Sequence, residues 1–498
     1  MVAPHRKKSV AHHDHSHEHT PQKSHHARVK AAERKRTASI SKEDGMEYNK
    51  KVRKLHKAFL QQTEGVHHEE ERPHSGSNSD VELPILDPDC DPENPKKVTF
   101  SEISSAAFNI KNGVQVTPCV RSLQLSTRFD MDLYFKKEYL QVTGSFKERG
   151  ARYALSKLPA ELKKQGVIAA SAGNHALALS YHGQQMNIPV TVVMPVIAPL
   201  MKIQFCRSLG ATVILKGESI AVAKDFALRH ARENHLKYIN GYDAIDILAG
   251  QGTIGLEILE QVPDVDTILV PVGGGGLIAG IAVAVKTLKP DVHIYGIEAE
   301  TCPSFTEAYE AGHVVNAIAK ASLADGLAVP TVGGNSLETA KGLIDKVISV
   351  KEESIALSIL RLLEVEKAVV EGGGAVGLAA ILEGKVPELK GKKVVSILSG
   401  GNIDTTVLGR SIERGLAVDG RLVRLEVVVS DRPGGIAELT TTIAHLGASI
   451  KDIFHERAWI STDVFHVKVK VVAETRGKEH VEEIETALKK VYDNVILH

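Results

Sequence analysis

Short runs of apolar, mostly β-branched residues alternate with helix-like segments from Val98 to about Gly415. The runs read GVIAAS, PVTVVMP, ATVILK, TILVPV, HIYGIEA and KVVSILSG. Strands that alternate with helices build a buried, largely parallel sheet, so the sequence predicts an α/β fold. Several runs end in Gly, Ser or Asn, which puts polar loops at the carboxyl ends of strands, where open α/β sheets bind their ligands.

The two ends of the chain differ from this central region. Residues 1–97 are rich in His, Lys, Arg, Glu and Ser and almost lack aromatic residues, so we expect a disordered polar tail. Its cluster His12–His19 is interpreted as solvated chain, with transition-metal binding as the alternative. Residues 422–498 read as strand, DRPGG turn, helix, two strands, helix and strand. This βαββαβ order predicts a separate small domain with an antiparallel sheet.

The charge balance bears on the partners. Lys and Arg total 61, as do Asp and Glu, so the charge gives no indication of nucleic acid or of a membrane surface. Small, near-neutral ligands are the expected partners. The uncharged stretch Thr267–Val285 has the length of a membrane span, but a proline and four consecutive glycines divide it into a strand, a loop and a helix.

Cysteine usage and the first residues indicate the compartment. The cysteines form no CxxC pair, which predicts neither a disulfide framework nor a zinc site. They are Cys90, Cys119, Cys206 and Cys302. The opening MVAPHRKKSV lacks the apolar segment of a secretory signal. We expect a cytoplasmic protein, with a mitochondrial presequence as the alternative.

Two motifs in the first half of the α/β region precede predicted helices. TGSFKERG, residues 143–150, puts Lys147 at a helix start. A lysine becomes a nucleophile when its surroundings lower its pKa, although a lysine at a helix start is more often a surface residue. SAGNH, residues 171–175, follows an apolar run. Amides at such a helix start bind a carboxylate, and Asn174 suits a phenolic oxygen; a helix-capping turn is the alternative.

Two further motifs follow predicted strands in the second half. GGGGL, residues 273–277, lies between a strand and a helix, where consecutive glycines let backbone amides surround a phosphate. A tight connection without a ligand is the alternative. SGGN, residues 399–402, follows the run KVVSIL, and Ser399 suits a neutral hydrogen bond to a ring nitrogen.

In this order the four motifs resemble the fold-type II pyridoxal-phosphate enzymes, and specifically the threonine dehydratases and serine racemases. The resemblance spans residues 98–415 and implies two open α/β subdomains, the smaller at about residues 138–240. It implies that Lys147 binds the cofactor beside Phe146, that Asn174 contacts the ring hydroxyl and that Ser399 meets the pyridine nitrogen. It assigns the cofactor phosphate to Gly273, Gly274, Gly275, Gly276 and Leu277. It assigns the substrate carboxylate to Ser171, Gly173, Asn174 and His175.

The stretches LADGLAV and EGGGAVGLAA also resemble the family. By that resemblance Asp325, with Gly326, shapes the wall of the cleft, and Glu371 lies near the cofactor. A carboxylate at a helix end, without a catalytic part, is the alternative for each.

Two positions favour elimination over racemisation. Serine racemases that resemble this chain carry a serine at the second position of the asparagine loop, where this chain has Ala172, and a methyl group cannot deliver a proton. Racemases of animal type carry an arginine where this chain has Ile220. The resemblance therefore implies ammonia release from L-threonine, with L-serine as a second substrate and 2-oxobutanoate or pyruvate as product. The alternatives are a serine racemase with lyase side activity and a non-catalytic amino-acid sensor.

Family resemblance also suggests a metal and an effector. Related enzymes bind Mg²⁺ or Ca²⁺ through carboxylates after the strand HIYGIEA; Glu298 is present, but Ser304 stands where an aspartate is expected. Residues 422–498 resemble an ACT domain, with the motif Asp431–Gly435 at its first turn. This implies a regulatory amino-acid effector and a homodimer or homotetramer.

Overall fold

The computed structural model describes residues 86–458 and 464–498. The His12–His19 cluster and the predicted tail up to residue 85 lie outside these residues. The first elements are α1 Phe100–Ile110, β1 Cys119–Arg121, α2 Leu123–Phe129, β2 Asp132–Lys136, a 3-10 turn Glu138–Leu140, α3 Lys147–Lys157, α4 Ala160–Gln165, β3 Val167–Ala170, α5 Asn174–Met186, β4 Val190–Met194, α6 Leu200–Ser208, β5 Thr212–Leu215, α7 Ile220–Glu233 and β6 Lys237–Tyr238. There follow α8 Ile245–Gln261, β7 Thr267–Pro271, α9 Gly276–Leu288, β8 His293–Ala299, α10 Ser304–Ala311, a 3-10 turn Asp325–Leu327, α11 Gly334–Ala340, β9 Lys346–Val350, α12 Glu352–Val365, α13 Gly372–Leu382, a 3-10 turn Pro387–Leu389, β10 Lys393–Ile397 and α14 Thr405–Val418. The last are β11 Leu422–Ser430, α15 Gly435–His445, β12 Ser449–Glu456, β13 His466–Glu474, α16 Lys478–Lys489 and β14 Val495–Leu497.

The larger sheet has six strands in the order β1-β2-β10-β7-β8-β9, and only β1 runs antiparallel to its neighbour. Of the strands of this sheet, β10 comes last in the chain but lies between β2 and β7, in a register that pairs Ile397 with Lys136. The carboxyl ends of β2, β10 and β7 therefore meet at one edge. The loops that follow these three strands lead to Lys147, to Ser399 and to the glycines 273–276.

The smaller sheet has four parallel strands in the order β5-β4-β3-β6. The SAGNH turn follows β3 directly and opens α5. All six apolar runs identified in the sequence form strands, and the predicted α/β fold is confirmed.

The uncharged stretch 267–285 divides as predicted into β7, a glycine loop and α9. Every residue of β7 is buried, as is most of α9, because these two elements lie in the centre of the large core. Within the described ranges, no helix is long and apolar enough to cross a membrane.

The C-terminal elements form an antiparallel sheet, β12-β13-β11-β14, in the predicted βαββαβ order. Buried residues alternate along β11 and β13, so one face of the sheet is covered. The covering residues include Leu439 and Ile443 of α15 and Ile484 and Leu488 of α16.

Residues 86–97 depart from the prediction of a disordered tail. Asp87 is buried, Asp89 pairs with Lys237, and the Lys96 amide donates to the Asn335 side chain. The polar composition of this segment concealed its order, because polar groups that find hydrogen-bond partners can be ordered without an apolar core.

Candidate active site

Lys147 is the first residue of α3, at the end of the loop that follows β2. Its Nζ donates a hydrogen bond to the Gly241 carbonyl and lies 5.1 Å from the centroid of the Phe146 ring. Burial lowers the pKa of this ammonium group to about 8, although the charge of Glu371 acts in the opposite direction. Lys147 is therefore neutral, and nucleophilic, at a lower pH than an exposed lysine.

A buried charge network anchors the first turn of α3. Arg149 is fully buried and donates to Glu138 at 2.8 Å and to Glu257 of α8 at 2.6 Å. Lys136, the last residue of β2, also pairs with Glu257. Two cations and two carboxylates thus compensate one another, which fixes the position of Lys147 relative to β2 and α8.

The lysine loop and the serine loop hydrogen-bond to each other. The Phe146 amide donates to the Ser399 carbonyl at 3.0 Å, and the Gly401 amide donates to the Gly144 carbonyl at 2.9 Å. Gly144 has φ +75°, a conformation that favours glycine. The two loops therefore form one platform, in which Ser399 is buried and contacts Phe146, the residue before Lys147.

Three side chains from distant parts of the sequence orient one another beside this platform. Asn402 donates through Nδ2 to Asn174 Oδ1 at 2.8 Å and to the Thr143 carbonyl at 2.7 Å. Asn174 in turn donates to Glu371 Oε1 at 2.7 Å. Asn402 thus fixes which end of the Asn174 amide is the donor. The sequence had assigned no role to Asn402, although it belongs to the SGGN motif.

Glu371 precedes α13 as its N-cap residue and is buried. Burial, together with the charge of Asp325, raises the pKa of its carboxyl to about 7. Asp325 is exposed in its 3-10 turn, and a Cβ on Gly326 would be 4.0 Å from Glu371 Oε1. The stretches LADGLAV and EGGGAVGLAA therefore meet at this side of the site.

The SAGNH turn lies on the smaller sheet. Gly173 immediately precedes α5, and its amide donates to Ser171 Oγ at 3.3 Å. The His175 ring is buried with Nε2 3.1 Å from the Ile239 carbonyl, and a Cβ on Gly241 would lie 2.6 Å from His175 Cγ. Burial, and then the charge of Lys147, lower the pKa of His175 to about 3, so this ring is neutral.

Gly273–Gly276 run from the end of β7 into α9, and Leu277 is buried in the first turn of that helix. Gly275 has φ +95°, so the backbone turns sharply before the 13-residue helix. First-turn amides of such a helix, reached through small residues, suit a phosphate. A buried lysine of lowered pKa, a glycine loop and a buried serine hydroxyl at one sheet edge together fit pyridoxal phosphate.

Glu298 was the predicted metal ligand. Its carboxylate accepts the amides of Phe305 and Thr306, at 3.1 and 3.3 Å, and the Ser349 hydroxyl at 3.3 Å. Glu298 therefore accepts hydrogen bonds from backbone amides at the start of α10, which have no partner within the helix. In the described part of the chain, no group of three or more His, Cys, Asp or Glu side chains is arranged to hold a metal ion.

Comparison with known proteins agrees with this arrangement. Residues 110–400 match the family model described as pyridoxal-phosphate dependent enzyme, and residues 423–491 match the ACT domain model. The chain is 44% identical over 391 residues to the L-threonine ammonia-lyase of Thermotoga maritima, covering 78% of this chain and 97% of that protein. It is 41% identical over 392 residues to the L-threonine ammonia-lyase of Geobacter sulfurreducens, covering 79% and 97%.

The chain is also similar in fold to solved structures. The processed form of threonine deaminase isoform 2 from Solanum lycopersicum superposes with a TM-score of 0.61 at 33% identity, over 66% of this chain and 98% of that chain. Maize serine racemase has a TM-score of 0.61 at 32% identity, over 64% and 98%. The fold is thus common to lyases and racemases, and the residues of the site must distinguish them.

Proposed function

The chain belongs to the family of pyridoxal-phosphate dependent enzymes, and from that premise we propose that it is an L-threonine ammonia-lyase that also accepts L-serine. The products are ammonia and 2-oxobutanoate, or pyruvate from serine. The observation that carries the proposal is the position of Lys147, whose amine of lowered pKa lies beside the platform formed with Ser399 and near the SAGNH turn. The names of the curated relatives support the same activity.

Each residue of the site has a separate role in the reaction. Pyridoxal phosphate, when bound, accepts the electron pair left when the α-proton of the amino acid departs. Lys147 removes that proton, because a pKa lowered to about 8 leaves a much larger share of its amine neutral near that pH than in an exposed lysine. The amides at the start of α5 hold the substrate carboxylate, with Ser171 and Gly173 shaping the turn. Asn174, oriented by Asn402, donates to the phenolic oxygen.

Racemisation is the second candidate, and Ala172 argues against it. Ala172 is half-buried and packs against the core of the smaller sheet, and its methyl group can neither donate nor accept a proton. Ile220, where an arginine is typical of animal racemases, is partly exposed at the start of α7. Without a second acid on the face opposite Lys147, the proton removed from the α-carbon is not replaced there, and elimination prevails.

Regulation, assembly and location belong to the same proposal. The ACT domain supports an amino-acid effector. Large apolar side chains that are exposed near α1 and β1, namely Phe108, Val116 and Leu123, support assembly into a homodimer or homotetramer, which would cover them. Four free thiols support a reducing, cytoplasmic location.

Each enantiomer of serine and threonine should be incubated with the purified protein, and 2-oxo acid and enantiomer conversion measured together. We expect 2-oxo acid from both L-amino acids and slow formation of D-serine. Rapid D-serine formation without pyruvate would support the racemase instead, and no reaction with any of the four would support the non-catalytic sensor.

A further inference from the structure

Helix α11 lies against the glycine loop that we assign to the phosphate. The Gly333 amide donates to the Gly274 carbonyl at 3.0 Å. A Cβ on Gly275 would lie 3.0 Å from Ser336 Cβ, and Ser336 Oγ donates to the Tyr242 carbonyl at 2.7 Å. The loop is thus supported from behind by the start of α11, which determines where its amides point.

The Asn335 side chain links the start of α11 to two other parts of the chain. The residue is 1% exposed. Oδ1 accepts the Lys96 amide at 2.7 Å, and Nδ2 donates to the carbonyls of Asp89 and Asp243 at 2.9 and 3.0 Å. Both amide hydrogens and the oxygen are therefore used, so that the position of the side chain is fully specified.

Two of these partners belong to the segment 86–97, which precedes the residues that match the enzyme family. The segment and the residue after it are held elsewhere as well, since Lys97 pairs with Glu338 at 3.1 Å and the Val98 amide donates to Thr339 Oγ1 at 3.1 Å. A Cβ on Gly334 would lie 3.1 Å from Pro92 Cα. The N-terminal segment thus packs against α11 along its length.

We propose that Asn335 is a positioning residue for phosphate recognition, which holds the glycine loop in place by linking α11 to the N-terminal segment and to the strand-end loop at Asp243. Asn335 acts through Gly333 and Ser336, whose contacts with the loop it fixes. This rests on the proposed assignment of the cofactor phosphate to Gly273–Leu277. Its consequence is expected mainly at the phosphate, because the lysine and serine loops are held by hydrogen bonds to each other and only Lys147 Nζ contacts the neighbouring Gly241 carbonyl.

Apo-protein should be titrated with pyridoxal phosphate and, separately, with pyridoxal, which lacks the phosphate, and the dissociation constants read from absorbance. We expect Asn335→Ala to raise the constant for pyridoxal phosphate about tenfold, or about 1.4 kcal/mol, the range of a lost buried hydrogen bond. The constant for pyridoxal should change less than about twofold. Asn335→Asp keeps the shape but cannot donate to the two carbonyls, so it should act like Asn335→Ala.

The matched control is Thr339→Val on the same helix, which removes the hydroxyl that accepts from Val98 but leaves the contacts of Gly333 and Ser336 intact. It should change neither constant by more than about twofold. If Asn335→Ala does not give folded apo-protein, Asn335→Ser replaces it. Equal weakening of both ligands, or of neither, in the Asn335 variants overturns the proposal.

Gly275→Ala separates this proposal from the assignment on which it rests. A side chain at φ +95° distorts the loop itself, so this variant should also weaken pyridoxal phosphate selectively. Selective weakening in Gly275→Ala with none in the Asn335 variants refutes only the role of Asn335. Absence of selectivity in Gly275→Ala refutes the phosphate assignment.

Discussion

Burial of Lys147 determines the pH at which the protein takes up its cofactor. Because the pKa is lowered to about 8, the neutral amine that attacks the cofactor aldehyde becomes tenfold more abundant for each pH unit up to that value and then levels off. The rate at which apo-protein gains visible absorbance should follow this curve in stopped-flow measurements. A rate that keeps rising to pH 10 would indicate an ordinary, exposed lysine.

Replacement of Lys147 tests its chemical role directly. Lys147→Ala should abolish the visible absorbance of the bound cofactor and reduce threonine turnover by roughly 10³-fold, since both the attachment point and the base are lost. Lys157→Ala, at the exposed end of the same helix, is the control and should retain both. Normal turnover in Lys147→Ala would exclude the assignment.

Glu371 should make the stability of the apo-protein depend on pH. Its folded-state pKa of about 7 exceeds the ordinary value of 4.5, so the folded state holds the proton more tightly, and stability is lost as the pH rises from 4.5 through 7. Relative to Glu371→Gln, the wild-type free energy of unfolding should fall by about 3 kcal/mol between pH 4.5 and pH 8. Urea unfolding at the two pH values measures this; parallel behaviour of the two proteins would contradict it.

A substitution at Ala172 tests whether this position decides between elimination and racemisation. Ala172→Ser introduces a hydroxyl that can exchange a proton on the second face, so the ratio of D-serine formed to ammonia released from L-serine should rise by at least about tenfold. Chiral separation of serine and an ammonia assay on the same samples give this ratio. An unchanged ratio would mean that position 172 does not determine the outcome.

At the scale of elements, the contact between α3 and α8 depends on two glycines. A Cβ on Gly250 would lie 2.5 Å from Gly150 Cα and 2.7 Å from the Arg149 carbonyl. Gly250→Ala should therefore push the helices apart and destabilise the protein by about 1–3 kcal/mol. Gly409→Ala in α14, where a Cβ meets nothing within 4 Å, should be neutral or slightly stabilising. Thermal unfolding of both variants decides this; similar midpoints would refute it.

Six strands of the α/β region and the positions of the four loop motifs were predictable from the sequence, because each depends on local pattern. Strands β1, β2, β6 and β9 were not identified. The pairing of β10 between β2 and β7 was not predictable either, since nothing within residues 393–397 specifies their neighbours. The same holds for side chains that meet across long separations. Asn402 and Asn174 are 228 residues apart, and Asn335 and Lys96 are 239 residues apart. Hydrogen bonds of this kind become visible only when the fold brings the loops together.

At the scale of the whole molecule, the C-terminal domain should regulate without taking part in chemistry. Arg421, just before β11, pairs with Glu364 of α12 at 2.6 Å, so the linker contacts the catalytic region. We expect isoleucine, valine, serine or threonine to shift the KM for threonine in the full chain, because a ligand that prefers one state shifts the population toward it. Truncation after Arg421 should keep the cofactor spectrum and remove the shift. An effector response that survives truncation would put the sensing site in the catalytic region.

The late position of β10 in the chain has a consequence for biosynthesis. On the ribosome, β2 and β7 emerge long before residues 393–397, and until then each presents an unpaired edge toward the gap that β10 will fill. The lysine loop also lacks its partner at Ser399 during this time. A nascent chain of this protein therefore lacks the complete platform of lysine and serine loops until about four-fifths of its residues have been made. Until then the two unpaired strand edges are open to pairing with other chains.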